Sequence, residues 1–138
     1  MNFVLDASIA LSWCFSDEAT QETTLLLERL SQESAFVPEL WTLEVGNILI
    51  SAERRQRITY AKITEFITLL QQINIKIDNE TSMRGFREIL PLAHSENLTT
   101  YDAAYLELAM RLGLPLATKD KQLAKAAKKI GVLLLLDA

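Results

Sequence analysis

The chain has one histidine, one cysteine, no surplus of positive charge and no long apolar run, and each shortage removes a class of function. A single histidine, His94, excludes multi-histidine metal sites and leaves a histidine-based catalytic triad unsupported. A single cysteine allows no internal disulfide. Cys14 lies in the apolar run Leu11-Ser12-Trp13-Cys14-Phe15 and reads as a structural thiol, because no basic neighbour is there to activate it. A net charge of −4 and a pI of 5.0 argue against a broad electropositive surface, though a local basic rim is compatible with them. The longest wholly apolar run, Val132 to Leu136, is far too short to span a bilayer. No basic segment precedes a long apolar one near the start, so no signal peptide is expected and the cytoplasm is the expected location.

What is present fits one globular domain over residues 1–138, with 49% hydrophobic and 23% charged residues. Phe3-Val4-Leu5 reads as a short buried strand at the centre of a parallel sheet, running into a helix from Ala7. Ser16-Asp17-Glu18 has the hydroxyl and first-turn acids of a helix start, followed by the stripe Ala19, Thr23, Leu26, Leu27 and Leu30. Ala35-Phe36-Val37 is a second strand, and Pro38 suits the first position of a helix reaching about Ala52. That helix packs through Trp41, Val45, Ile48, Leu49 and Ala52, while Glu44, Asn47 and Ser51 share another face. Arg54, Arg55 and Arg57 crowd its end, where they suit the macrodipole better than a phosphate.

Thr59 opens the next helix, striped by Ile63, Phe66, Ile67 and Leu70. Ile73, Ile75 and Ile77 then alternate with polar residues, the mark of a half-exposed edge strand. A helix follows around Thr81 to Leu90, with Met83, Phe86, Ile89 and Leu90 inward and Pro91 as its break. Thr99 to Asp102 open a helix to Leu112, stopped by Gly113 and Pro115. Leu114 to Ala117 is a short strand, Leu123, Ala126, Ala127 and Ile130 stripe a last helix, and Val132 to Leu136 closes as a buried strand. Strands and helices alternate, so the class is α/β with a mostly parallel sheet.

Four acids fall at comparable places. Asp6 and Asp120 each follow a short strand and precede a helix, at the sheet edge where open α/β folds bind ligands. Asp102 lies in the first turn of its helix and Glu44 near the start of another. Each has a plain alternative: Asp6 and Asp120 as helix caps, Thr99-x-x-Asp102 as a capping box, Glu44 as a solvated residue. If the four converge, two carboxylates about 5 Å apart repel by roughly 3 kcal/mol at an effective dielectric near 20. Such a pocket calls for cations or protons, and an all-oxygen set suits Mg²⁺ or Mn²⁺. Ser8 and Thr118, each two residues from an Asp, would orient carboxylates or bond local backbone.

The blocks Val4-Leu5-Asp6-Ala7-Ser8, Leu43-Glu44-Val45-Gly46-Asn47, Thr99-Thr100-Tyr101-Asp102-Ala103-Ala104-Tyr105-Leu106 and Ala117-Thr118-Lys119-Asp120-Lys121-Gln122-Leu123 run in order along the whole chain. Together they resemble the PIN-domain pattern, in particular the VapC-like toxins of bacterial and archaeal toxin–antitoxin pairs. The resemblance implies a three-layer α/β/α fold, Mg²⁺ or Mn²⁺ held by Asp6, Glu44, Asp102 and Asp120, and endonucleolytic cleavage of RNA. It also implies a homodimer and inhibition by a small antitoxin, and it matches Asn47 and Thr118 to accessory polar positions. The expected function is a metal-dependent endoribonuclease, the toxin of a type II pair. The alternatives are a catalytically silent PIN scaffold binding RNA or protein, and a DNA nuclease of the related flap-endonuclease kind. A phosphoacceptor receiver domain fits poorly, since adjacent acids after the first strand are missing. The stripes carrying Trp41 and Phe66 are the expected dimer contact, and the RNA-binding surface is left unassigned.

Overall fold

The computed structural model describes residues 2–136. Four parallel strands make one sheet: β1 (Phe3–Leu5), β2 (Ala35–Pro38), β3 (Ile75–Asp78) and β4 (Leu116–Ala117), in the order β3-β2-β1-β4. Val4 pairs with Phe36 on one side and with Leu116 on the other, so β1 is central and wholly buried. The helices are α1 (Ala7–Ser12), α2 (Gln21–Arg29), α3 (Trp41–Arg54), α4 (Tyr60–Gln72), α5 (Thr81–Arg84), α6 (Leu90–Glu96), α7 (Thr100–Leu112) and α8 (Lys121–Ile130). The result is the expected three-layer α/β/α arrangement, with α7 packed on β1, β2 and β4. The chain steps from β1 to β2 to β3 in one direction, then returns to lay β4 on the far side of β1. That reversal opens a crevice at the carboxyl ends of β1 and β4, where open α/β sheets place their ligands.

Several elements differ from the sequence expectation for identifiable reasons. Ser16-Asp17-Glu18 forms a turn, because Arg57 draws both Asp17 and Glu18 into ion pairs at 2.8 and 2.9 Å. α2 starts instead at Gln21, under a reciprocal Thr20–Thr23 capping box. Pro38 does not open α3; it ends β2 opposite Asp78. The Val132–Leu136 strand is reduced to a single parallel bridge from Leu134 to Leu116, and Leu133 is exposed. β3 is the edge strand expected, but the alternation fails at its end, where Ile77 is exposed and Asp78 is turned in toward Arg111.

The largest departure lies between β3 and α7. Gly85–Ile89 is a π-helical turn joining α5 to α6, so the 3.6-residue period fails there. Ile89 turns inward as expected, but Met83, Phe86 and Leu90 are 65%, 89% and 48% exposed. Pro91 does not break the helix. It sits in the first turn of α6, where its absent N–H has no intrahelical duty. Trp41 and Phe66, expected at a dimer contact, are both buried in this chain's own core.

Candidate active site

Asp6 follows β1 directly and occupies the N-cap position of α1, but it does not cap that helix through its side chain. Its carboxylate is buried and accepts from two hydroxyls, Ser8 Oγ at 2.9 Å and Thr118 Oγ1 at 2.6 Å, both on Oδ2. The hydroxyls are themselves fixed from the β4–α8 turn. The Lys119 amide donates to Ser8 Oγ at 3.1 Å, and the Asp120 amide donates to Thr118 Oγ1 at 3.0 Å. Two elements far apart in sequence are thereby stitched across the crevice. Burial pushes the Asp6 carboxyl up to about 6, with Glu44 adding to the rise and the two hydroxyls opposing it.

Asp102, the third residue of α7, is half-buried, and its amide donates to the capping hydroxyl of Thr99 at 3.1 Å. Its carboxyl is also pushed up to about 6, by burial first and then by the charges of Asp120 and Asp6. Glu44, one turn into α3, is raised by burial and by Asp102. Asp120 does cap its helix: Oδ1 accepts from the Leu123 amide at 2.9 Å. Asp102 feels the charge of Asp120 and Asp6, Asp6 that of Glu44, and Glu44 that of Asp102, which gathers the four acids at one edge of the sheet. Ser8 and Thr118 clamp Asp6, while Asn47 is exposed, three residues along α3 from Glu44.

One residue the motif reading passed over is Tyr105. Its ring is fully buried, and its hydroxyl donates to Glu44 Oε1 at 2.5 Å, joining α7 to α3. Burial and the Glu44 contact raise the phenol, so it stays a donor. The signal was the three-residue step from Asp102 to Tyr105, which puts both side chains on one side of α7.

The donor set at this edge is oxygen only, the kind hard divalent cations take. Burial, with the neighbouring carboxylates adding, holds two of these carboxyls near 6, an environment in which a cation would favour their charged forms. Glu44 and Asp120 are each held by a protein donor at one oxygen, and the other takes no hydrogen bond among the described residues. Among those residues, no three His, Cys, Asp or Glu side chains are grouped so that they could hold a metal ion by themselves. The residues fit an ion that keeps several of its waters, as Mg²⁺ does.

The chain is similar to known proteins over nearly its whole length. Ribonuclease VapC3 of Pyrobaculum aerophilum is 25% identical over 125 residues, 91% of this chain and 94% of that protein. A crystal structure from Pyrobaculum aerophilum superposes with a TM-score of 0.70 at 23% identity, covering 98% of this chain and 92% of the other. VapBC2 from Rickettsia felis, bound to a DNA fragment from its promoter, gives 0.65 at 15% identity and 97% coverage of both chains. A toxin–antitoxin complex from Klebsiella pneumoniae gives 0.60 at 17% identity and 99% coverage of both. The family model described as PIN domain matches residues 3–129, from the first residue of β1 to the last turn of α8. A parallel sheet that reverses at β1, with its acids gathered at that reversal, is thus the frame of a chain that belongs to the PIN domain family.

Proposed function

We propose that this chain is a Mg²⁺- or Mn²⁺-dependent endoribonuclease and the toxin of a type II toxin–antitoxin pair. The observation that carries the reading is the gathering of Asp6, Glu44, Asp102 and Asp120 at the sheet reversal, where burial, with neighbouring carboxylates adding, lifts Asp6 and Asp102 to about 6. Similarity to Ribonuclease VapC3 supports RNA as the substrate. Asp6, Glu44, Asp102 and Asp120 would hold the ion, directly or through its waters. When bound, the ion supplies charge to offset the phosphate and an acidified water at neutral pH. Asp6 is held in one orientation by Ser8 and Thr118, and Glu44 by Tyr105, so neither carboxylate needs reorganising as phosphate enters.

Two partners belong to the reading. The likeness to toxin–antitoxin complexes supports a small antitoxin. An arginine from it would suit a metal-free pocket rich in negative charge, since a guanidinium bonds carboxylates in pairs. A second copy would seat on the exposed apolar face of Met83, Phe86, Leu90 and Tyr101. That face holds both a projecting Phe86 and an adjoining hollow of about 260 Å³, the self-complementary pairing a two-fold contact needs.

The test is cleavage of total RNA and of flap and duplex DNA, with Mg²⁺ or with excess EDTA. RNA is expected to be cut only with the ion. Cleavage unchanged in EDTA would remove the metal, and cutting of flap DNA alone would favour the flap-endonuclease kind. Asp102→Asn distinguishes the pocket from a helix cap. Relief of repulsion should make the metal-free variant more stable in urea, by about 1 kcal/mol after allowance for partial exposure, while cleavage collapses. A mere cap would lose stability and keep cleaving.

A further inference from the structure

α8 turns Leu123, Ala126 and Ala127 into the core and leaves Lys121, Lys125, Lys128 and Lys129 exposed. Five of the chain's seven lysines fall between positions 119 and 129, beside a single acid, Asp120, in a chain whose net charge is −4. Lys119 is tied to the Glu18 carbonyl at 3.0 Å and Lys129 to Glu96 at 3.4 Å. Lys121, Lys125 and Lys128 have no ion pair among the described residues. Their spacing of four and three sets them in one row, around a groove of about 300 Å³ shared with Ala124 and Leu134. Elsewhere the solvated helix faces are mixed in sign, as where Lys62 meets Glu65 on α4. The macrodipole accounts for lysines in the last turn. It does not account for Lys121, the first residue of the helix, where positive charge is disfavoured.

We infer that Lys121, Lys125 and Lys128 form a track for the sugar–phosphate backbone of the RNA strand cut at the acid site. The inference rests on the ribonuclease reading and names the surface by which that substrate is held. The row begins one residue beyond Asp120 and spans about 10 Å along the helix axis, room for two or three successive phosphates. An approaching polyanion is repelled by the four carboxylates, and this row is the adjacent charge that offsets them. An acidic protein is the weaker fit. The groove has only Ala124 and Leu134 as apolar lining, and no aromatic anchor of the kind protein interfaces centre on.

The test is binding of a fluorescein-labelled 20-nucleotide oligouridylate, read by anisotropy in EDTA between 50 and 200 mM KCl. Wild type is compared with K121Q/K125Q/K128Q and with the control K62Q/K76Q, and cleavage of the same RNA with Mg²⁺ is followed in parallel. Three lost phosphate contacts flatten the slope of log affinity against log salt by about 2, and binding at the lowest salt weakens at least about tenfold. The control should leave the slope unchanged, and circular dichroism should show both variants folded. In cleavage, KM should rise with kcat little altered. An unchanged slope and affinity in the triple variant would overturn the track, even where wild type cleaves RNA well. Lysine-dependent binding by a protein that cuts no RNA would leave the track standing and defeat the ribonuclease reading instead.

Discussion

Asp6 illustrates how much a single side chain reports. Its position after a strand suits a cap, yet the structure gives its carboxylate to Ser8 and Thr118 and buries it. A carboxyl raised from 3.8 to about 6 on folding binds protons more tightly in the folded protein. Stability is therefore fullest below pH 4 and falls as pH rises through 6. Urea unfolding in EDTA should show the protein gaining stability as pH drops from 7, by roughly 1 kcal/mol at pH 5 and about 2 at pH 4 from Asp6. Asp102 acts in the same direction. At lower pH the trend reverses, because Arg111 holds Asp78 below the usual carboxylate range and that contribution is lost on protonation. Tyr105→Phe is the matching test at Glu44. The ring keeps its slot, the donor to Oε1 disappears, and the Glu44 carboxyl should titrate higher by carbon-13 NMR, at a stability loss of about 1 kcal/mol. An unmoved Glu44 titration would mean that the contact does not govern that carboxylate.

At the level of elements, α7 is fixed from both ends. Asp102 stands in its first turn, and Arg111, in its last, bonds Asp78 at 3.1 and 2.8 Å and Glu107 at 3.0 Å. Arg84 adds Glu80 at 3.0 Å and Glu107 at 3.5 Å. Arg111→Met would strip Asp78 of its paired hydrogen bonds and leave Glu107 to Arg84 alone, and should cost roughly 3 kcal/mol in urea unfolding. A loss below half that figure would mark the cluster as solvated. Spacing in the sequence reaches only the four-residue pairs Glu80–Arg84 and Glu107–Arg111; the bonds from Arg111 to Asp78 and from Arg84 to Glu107 join β3, α5 and α7 and carry no spacing signal. What was legible was local: the buried run at Phe3, the alternation at Ile73 to Ile77, and the glycine stop after Leu112. Ser16-Asp17-Glu18 was misread because a distant arginine, Arg57, claims the acids that would have served a helix start. The π turn defeats any period assumed in advance, so Met83 and Phe86 were assigned to the wrong side. The four candidate acids stand out by their motifs, whereas the lysine row on α8 does not, because whole-chain charge hides a local excess.

For the whole molecule, the misplaced apolar face changes the expected assembly. Trp41 and Phe66 are spent on the core, whereas Phe86 projects at 89% exposure beside its hollow. Sedimentation at tens of micromolar should give a dimer for wild type and a monomer for Phe86→Asp, with folding unaffected because that side chain has little to lose inside. A wild-type monomer at that concentration would remove this face from consideration. The sheet order has another consequence, one that concerns time. β4 lies beside β1, and the Thr118 bond to Asp6 joins residues 112 positions apart. A single domain folds as a unit. A growing chain lacks Asp102 and Asp120, and the strand that fixes Asp6, until synthesis is nearly finished. The order of strands thus leaves the acid edge incomplete until nearly all of the polypeptide has been made.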